Sequence, residues 1–239
     1  MRILTWNCNG ALRKKFRHLD AFQADIIVVQ ECENPAAIKD TEYREWAKKF
    51  LWVGENSNKG LGIFARDNVK IDLLDWDTMI NYGRSDNRNL KYFIACTINN
   101  EFTLLGAWCH GANSPTFGYV GQLWQYLQKH KTKLKKTIIA GDFNSNVTWD
   151  RWDRWWNHSD VVRELGELNI ENVYLHYFKE EAGKESRPTF YLHRNREKPY
   201  HIDYIFASSE FIESLKHIEI GQADKWMEIS DHMPVWCEL

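Results

Sequence analysis

Apolar runs of four to seven residues recur along this chain between polar turns, and ten read as strands: 2–6, 26–30, 51–54, 62–65, 69–74, 92–98, 103–109, 137–141, 202–207 and 235–239. Several are rich in β-branched residues, as in Ile26-Ile27-Val28-Val29 and Thr137-Ile138-Ile139. Runs this short and this branched favour strand over helix. Four stretches, 11–20, 42–49, 120–131 and 160–168, read as helices. In the third, Leu123, Trp124 and Leu127 fall at helical spacing, and before the fourth Ser159-Asp160 offers N-cap chemistry. Strands dominate with helices between them, which predicts two packed sheets covered by helices. No Gly/Ser-rich linker, repeat or low-complexity segment divides the chain, so one domain is expected over 1–239.

Five polar signatures sit at the ends of these runs: Trp6-Asn7-Cys8-Asn9-Gly10, Gln30-Glu31, Gly141-Asp142-Phe143-Asn144, His201-Ile202-Asp203-Tyr204 and Ser230-Asp231-His232. Glu31, with Gln30 before it, follows the four apolar residues Ile26-Ile27-Val28-Val29, which would hold it at a strand's C-terminal end, where open sheets place ligands. A surface acid opening a loop is the plainer alternative. Asp142 and Asn144 would share a face if the chain stays extended, although an Asp/Asn turn is also open. Asp203 lies within an apolar strand and needs a partner, because an unpaired buried charge is costly. His232 can be that partner, either as a structural hydrogen bond or as an imidazolium kept charged for a phosphate. Carboxylate and amide oxygens gathered in this way suit Mg²⁺ or Mn²⁺.

In this order the five signatures resemble the endonuclease/exonuclease/phosphatase superfamily, which includes deoxyribonuclease I and exonuclease III. The likeness runs from Arg2 to Leu239 and is most specific in Ser230-Asp231-His232-Met233-Pro234-Val235-Trp236, which is similar to the exonuclease III and apurinic endonuclease branch. The resemblance implies an α/β fold, a four-layer αββα sandwich of two mixed sheets with the site at one end. It implies that Glu31 binds a divalent metal, with Asn7 and Asp231 assisting. Asp142 would deprotonate the attacking water, Asn7, Asn144 and His232 would hold the phosphate, and Asp203 would orient His232. His110 ends the run 103–109 and corresponds to a Tyr in the exonuclease III branch and to a His in deoxyribonuclease I-like enzymes. It could protonate the leaving oxygen or be an ordinary loop histidine. Asn113 stands where apurinic-site endonucleases carry an amide.

Two further features change the substrate expectation. Four tryptophans, Trp149, Trp152, Trp155 and Trp156, fall within eight residues of one another just after Asn144. The helical spacing of Trp149, Trp152 and Trp156 predicts a buried stripe, with base stacking as the alternative. Basic residues cluster at Arg13-Lys14-Lys15-Phe16-Arg17, where Arg13 is a candidate phosphate contact, and at 129–136, which a strand length separates from Asp142. Arg187, Arg194, Arg196 and Lys198 precede the fourth signature.

The net charge of −2 lacks the excess of Lys and Arg that gripping long duplex DNA requires, which points to a short, local or single-stranded footprint. The five cysteines are odd in number and lack C-x-x-C spacing, so reduced, mostly buried thiols are expected. The chain opens directly on a strand, with no signal-peptide pattern and no apolar run long enough to span a bilayer. A cytoplasmic monomer, off the membrane, with a DNA or RNA substrate, is therefore expected. The reading is a metal-dependent nuclease. Phosphoesterases acting on small esters or nucleic-acid adducts, and a catalytically silent binding module, are the alternatives.

Overall fold

The computed structural model describes residues 1–66, 68–81, 87–111 and 116–239. One six-stranded sheet combines β1 (Arg2–Asn7), β2 (Ile26–Cys32), β3 (Phe50–Asn56) and β4 (Lys59–Ala65) with β15 (His217–Ile220) and β16 (Val235–Glu238), in the order β15-β16-β1-β2-β4-β3. The other combines β5 (Ile71–Leu73), β8 (Phe93–Ile98), β9 (Phe102–Trp108), β10 (Thr137–Asp142), β11 (Ile170–Asn172) and β14 (Asp203–Ser208), in the order β11-β14-β10-β9-β8-β5. Two-stranded ribbons, β6 (Met79–Asn81) with β7 (Asn87–Asn89) and β12 (Phe190–Tyr191) with β13 (Pro199–Tyr200), lie outside the sheets. Each large sheet is mixed. Its one parallel pair, β1/β2 or β9/β10, lies at the centre and is flanked by antiparallel neighbours.

The alternation of side chains along each strand builds the layers. On β9, β10 and β14, Leu104, Ile138, Ala140, Ile205 and Ala207 face the first sheet and join Ile3, Val28 and Ile63 in a common core. Their neighbours Leu105, Ile139, Tyr204 and Phe206 face outward onto Leu123, Tyr126 and Leu127 of α2 (Val120–His130) and Val161 and Leu165 of α3 (His158–Gly166). The far side of the first sheet is covered by Leu12, Phe16 and Leu19 and by Tyr43 of α1 (Thr41–Trp46). The result is the expected αββα sandwich. At Gly106 the sheets approach so closely that an added Cβ would lie 3.2 Å from Ile63 Cδ1 and 3.3 Å from Val28 Cγ1. Short helices α4 (Val173–Phe178), α5 (Ser209–Glu213) and α6 (Ala223–Trp226) fill the connections.

Several elements differ from the sequence expectation. The stretch 11–20 is not an α-helix but two 3₁₀ segments, Leu12–Lys14 and Phe16–Phe22. No side chain caps its start, Ala11 enters at φ 54°, and Lys15 breaks the run at φ −124°. The Lys15 ammonium turns back to donate to the Cys8 carbonyl at 2.6 Å. The helix expected to run to residue 49 stops at Trp46: Ala47 leaves helical geometry at φ −95° and ψ 21°, and the Lys49 carbonyl accepts the Ala65 N–H. The helix expected from 160 starts at His158. Its first N–H groups, those of His158 and Ser159, bond to the Asp150 carboxylate, while Asp160 Oδ2 accepts the Asn157 N–H at 2.7 Å. Asp160 therefore closes a capping interaction from inside the first turn.

Trp149, Trp152 and Trp156 form no buried helical stripe. The segment is one 3₁₀ turn, Val147–Trp149, followed by bends, and Trp152 is 99% exposed. The strands β11, β12, β13 and β15 are too short, or too evenly alternating, to stand out in sequence. All five cysteines are buried and unpaired. Among the described residues, no helix is long and apolar enough to cross a membrane.

Candidate active site

The two parallel pairs end side by side, and their last residues form the site. Asp142 closes β10 and pairs in register with Asp203, which opens β14, so antiparallel pairing sets two fully buried acids opposite each other. Both belong to the rows that face the first sheet, Ile138–Ala140–Asp142 and Asp203–Ile205–Ala207 by alternation. There β1 delivers Asn7, whose Nδ2 donates to Asp142 Oδ2 at 2.9 Å and to Glu31 Oε1 at 3.3 Å. One amide thus ties a carboxylate of the first sheet to a carboxylate of the second.

Glu31 does not open a loop. It lies within β2 at a register shift between Gln30 and Cys32, with φ 63°, and this bulge turns its side chain out of the ladder. Asn144 lies beyond the end of β10 with φ 46°, so it does not share an extended face with Asp142. The turn brings it back instead: its N–H donates to Asp142 Oδ1 at 2.8 Å and its Nδ2 donates to Oδ2 at 2.9 Å.

His232 Nδ1 is shared with Asp203 Oδ1 at 3.1 Å and Oδ2 at 2.9 Å. The Asp203 backbone is fixed by Thr189, whose hydroxyl oxygen accepts the N–H groups of Ile202 and Asp203. The His232 backbone is held by Ser230 Oγ, which accepts its N–H and donates to the Asn7 carbonyl, and by Trp6 Nε1, which donates to the His232 carbonyl. Asp231 is tied to the first signature through Asn9 Nδ2, which donates to Asp231 Oδ1 at 2.9 Å. These chains link strands far apart in sequence into one rigid end of the sandwich.

The electrostatics follow from burial. Desolvation raises the Asp142 carboxyl, and the neighbouring Asp203 raises it further, to about 7, against the opposing pull of His232, Asn7 and Asn144. Burial alone would depress His232, but Asp203 and Asp142 outweigh it and lift the imidazole to about 9. A base poised near neutrality therefore sits beside an imidazolium.

His110 is exposed just past β9, its ring 4.4 Å from Trp108, and partial burial together with the Lys59 ammonium lowers its pKa. The Arg13 guanidinium is engaged by the buried Glu33 carboxylate, and Lys15 is the cation of that cluster that reaches the first signature. Lys129 and Lys131, in the cluster 129–136, pair with Asp77 and Glu164. Trp149 and Trp152 are 41% and 99% exposed. Asn113 lies outside the described residues.

Three contributors were not legible in sequence. Lys59 Nζ lies 2.8 Å from Glu31 Oε2. Thr189 is fully buried, and the Phe190 ring lies 4.5 Å from His232. None belongs to a signature, and only tertiary contact reveals them.

Asp142, Asp203 and His232 lie near enough to share an ion, their ligand atoms being within 4.8 Å of one another. Asp203, however, is committed to His232 Nδ1, and the Asn7 amide oxygen accepts the Asn9 N–H at 3.0 Å. The carboxylates that would hold a divalent cation are Glu31, on displacement of the Lys59 ammonium from its Oε2, and Asp142, which Asn7 ties to it; Asp231 joins the same end of the sandwich through Asn9. This donor set is one of hard oxygens, which suits an oxygen-preferring divalent cation and not a soft metal.

Solved structures share this architecture. A 3′ phosphatase from Neisseria bound to product DNA hairpin aligns with a TM-score of 0.69 at 21% identity, over 100% of this chain and 99% of that one. An AP endonuclease from Archaeoglobus fulgidus aligns with a TM-score of 0.69 at 17% identity, over 100% and 99%. Humanised TDP2 from D. rerio aligns with a TM-score of 0.61 at 18% identity, over 99% and 97%. No curated protein matches the chain significantly. Residues 4–232 match the model of the Endonuclease/Exonuclease/phosphatase family, and the chain belongs to that family of divalent-metal-dependent phosphoester hydrolases.

Proposed function

We propose that the protein is a Mg²⁺- or Mn²⁺-dependent nuclease that hydrolyses phosphodiester bonds by in-line attack of a water activated by Asp142. The observation that carries this reading is the position of Asp142. It is fully buried, raised to about 7, held by Asn7 and Asn144, and set across the ladder from the Asp203–His232 pair. Asn144 and Asn7 each donate to the same carboxylate oxygen, leaving Asp142 oriented to take a proton from water.

His232, its Nδ1 turned to Asp203, presents Nε2 to a non-bridging phosphate oxygen, where charge builds in the transition state. Asp203 keeps the imidazole charged and aimed. Glu31 holds the cation, with Asn7 and Asp231 assisting. When bound, the cation supplies Lewis-acid polarisation of the phosphate and stabilisation of the leaving oxygen. His110, at the rim beside Lys59, is placed to serve the leaving group. The structures aligned above are named as a 3′ phosphatase bound to product DNA hairpin, an AP endonuclease and TDP2, and the mildly acidic charge of this chain favours a short or single-stranded footprint.

The test is hydrolysis of bis(p-nitrophenyl) phosphate, single-stranded DNA and RNA, duplex DNA with and without an abasic site, and an inositol phosphate, by wild type and Asp142→Ala. Cleavage of nucleic acid that requires Mg²⁺ or Mn²⁺ and disappears in the variant is expected. Turnover of the inositol phosphate alone would keep the mechanism and overturn the nuclease assignment.

A further inference from the structure

In the tryptophan segment after Asn144, Trp156 is half-buried with its ring against Phe117 and Gly121, whereas Trp152 and Trp155 stand in solvent on a closely braced backbone. Asn157 acts as a brace: its Oδ1 accepts the Arg151 N–H and Arg154 Nε, both at 2.9 Å, and its Nδ2 donates to the Arg151 and Arg154 carbonyls at 3.0 and 2.6 Å. The Asp150 carboxylate ties the segment to the first turn of α3. The Arg154 guanidinium lies 4.2 Å over the Trp156 ring. Each fixed turn costs backbone entropy, and here that ordering holds Trp152 99% exposed and Trp155 63% exposed. Large rings fixed in water are unusual in a chain that has room for a full core.

The segment is also continuous with the chemistry. The Trp149 ring lies 5.1 Å from Tyr200, Tyr200 lies 6.2 Å from Phe190, and Phe190 lies 4.5 Å from His232. A line of rings thus runs outward from the phosphate-binding imidazole to the braced loop, where Arg151 is exposed beside Trp152.

We propose that Trp149 and Trp152 form a stacking platform for unpaired bases of the strand whose phosphate is held at His232; this rests on the nuclease reading of that site. The occupant is single-stranded nucleic acid. Base faces are open to an indole only when unpaired, every base has such a face, and stacking of this kind tolerates any sequence. Arg151 supplies a cation for the backbone of the same strand. The platform also answers the charge of the chain, since affinity drawn from stacking does not need a broad basic surface.

The test uses the full chain and two readouts. In the first, wild type, Trp152→Ala and Trp149→Ala/Trp152→Ala are compared on a single-stranded oligonucleotide, on the same oligonucleotide with base-free residues beside the scissile phosphate, and on bis(p-nitrophenyl) phosphate. The ratio of kcat/KM on the normal strand to that on either base-free substrate is expected to fall about tenfold for each ring removed. Trp152→Phe is expected to restore most of the ratio.

In the second, quenching of tryptophan fluorescence by the oligonucleotide is followed with the Asp142→Ala protein, where no cleavage intervenes. Quenching and binding are expected to weaken when Trp152→Ala is added. An unchanged ratio and unchanged binding would overturn the platform while leaving the nuclease reading intact. Tryptophan-dependent binding without cleavage by wild type would support the platform and overturn the nuclease reading. Absence of both binding and cleavage would overturn both.

Discussion

In the proposed mechanism Asp142 concentrates the chemistry because it is a buried carboxyl next to a second acid. Burial and Asp203 hold it near 7. The sign of the linkage follows: the metal-free fold favours the protonated form, so stability from this group is lost as pH rises from the unfolded value near 3.8 through 7. Asp142→Asn leaves one donor of Asn7 or Asn144 without an acceptor, and its Tm deficit against wild type without divalent ion is therefore expected to be smaller at pH 8 than at pH 5, while kcat falls roughly 10²–10⁴-fold. Calorimetry and turnover on one preparation check both.

His232 has the opposite role. Its pKa is raised to about 9 by Asp203 and Asp142, so its contribution is complete below 6.5 and is lost as pH rises through 9. The profile of kcat/KM should rise toward neutrality with Asp142, earlier when a divalent ion is bound, and fall near pH 9 with His232. His232→Asn should remove the falling limb. Glu31 is paired with the half-exposed Lys59, so a cation competes with an ammonium. Lys59→Met is expected to tighten Mn²⁺ binding by up to about fivefold, the most a half-exposed ion pair of ~1 kcal/mol allows. Glu31→Gln is expected to weaken it, and titration calorimetry reads both.

At the scale of elements, the site depends on where strands end. Gly141 places β10 so close to β9 that an added Cβ would lie 1.8 Å from the Ala107 carbonyl oxygen. No rotamer relieves a backbone clash, so Gly141→Ala is expected to cost about 3 kcal/mol or more and to misplace Asp142. Urea melts and activity should fall together. The bulge at Glu31 and the turn at Asn144 do related work, each using a positive φ to release a side chain from the ladder. Gln30-Glu31 and Gly141-Asp142-Phe143-Asn144 were visible as strand-end signatures. The conformations were not, because periodicity reports burial and not a local reversal of φ. The first helix failed for a related reason: its apolar spacing is real, since Leu12, Phe16 and Leu19 are buried, but an uncapped start and a lysine drawn to the Cys8 carbonyl yield 3₁₀ turns.

For the whole molecule, charge and architecture act together. With a net charge of −2, substrate affinity should depend weakly on salt. If one or two phosphates are neutralised, KM should rise no more than about tenfold between about 50 and 200 mM salt. A steeper slope would mean a basic surface assembled by the fold. The sandwich also explains why the site tolerates burial of so many polar groups. Asn7, Asp142, Asp203, Ser230 and His232 are buried, and each has hydrogen-bond partners from more than one strand or turn. Such a network stabilises only when it is complete.

The sequence by itself determined the two-sheet class and the central strands, and it placed Asn7, Glu31, Asp142, Asn144, Asp203, Asp231 and His232 in polar signatures at the ends of strand-like runs, because short β-branched runs and polar residues at their ends are local patterns; their proposed roles came from the family resemblance. Tertiary structure alone decided that Asn7 bridges Glu31 and Asp142, that Lys59 sits on Glu31, that Thr189 and Phe190 fix Asp203 and His232, and that Trp152 and Trp155 face water. These are contacts between residues tens to hundreds of positions apart. A helical spacing of tryptophans fixes which side chains could share a face, but whether that face meets a core or solvent is set by the braced turn at Asn157 and by what packs across it.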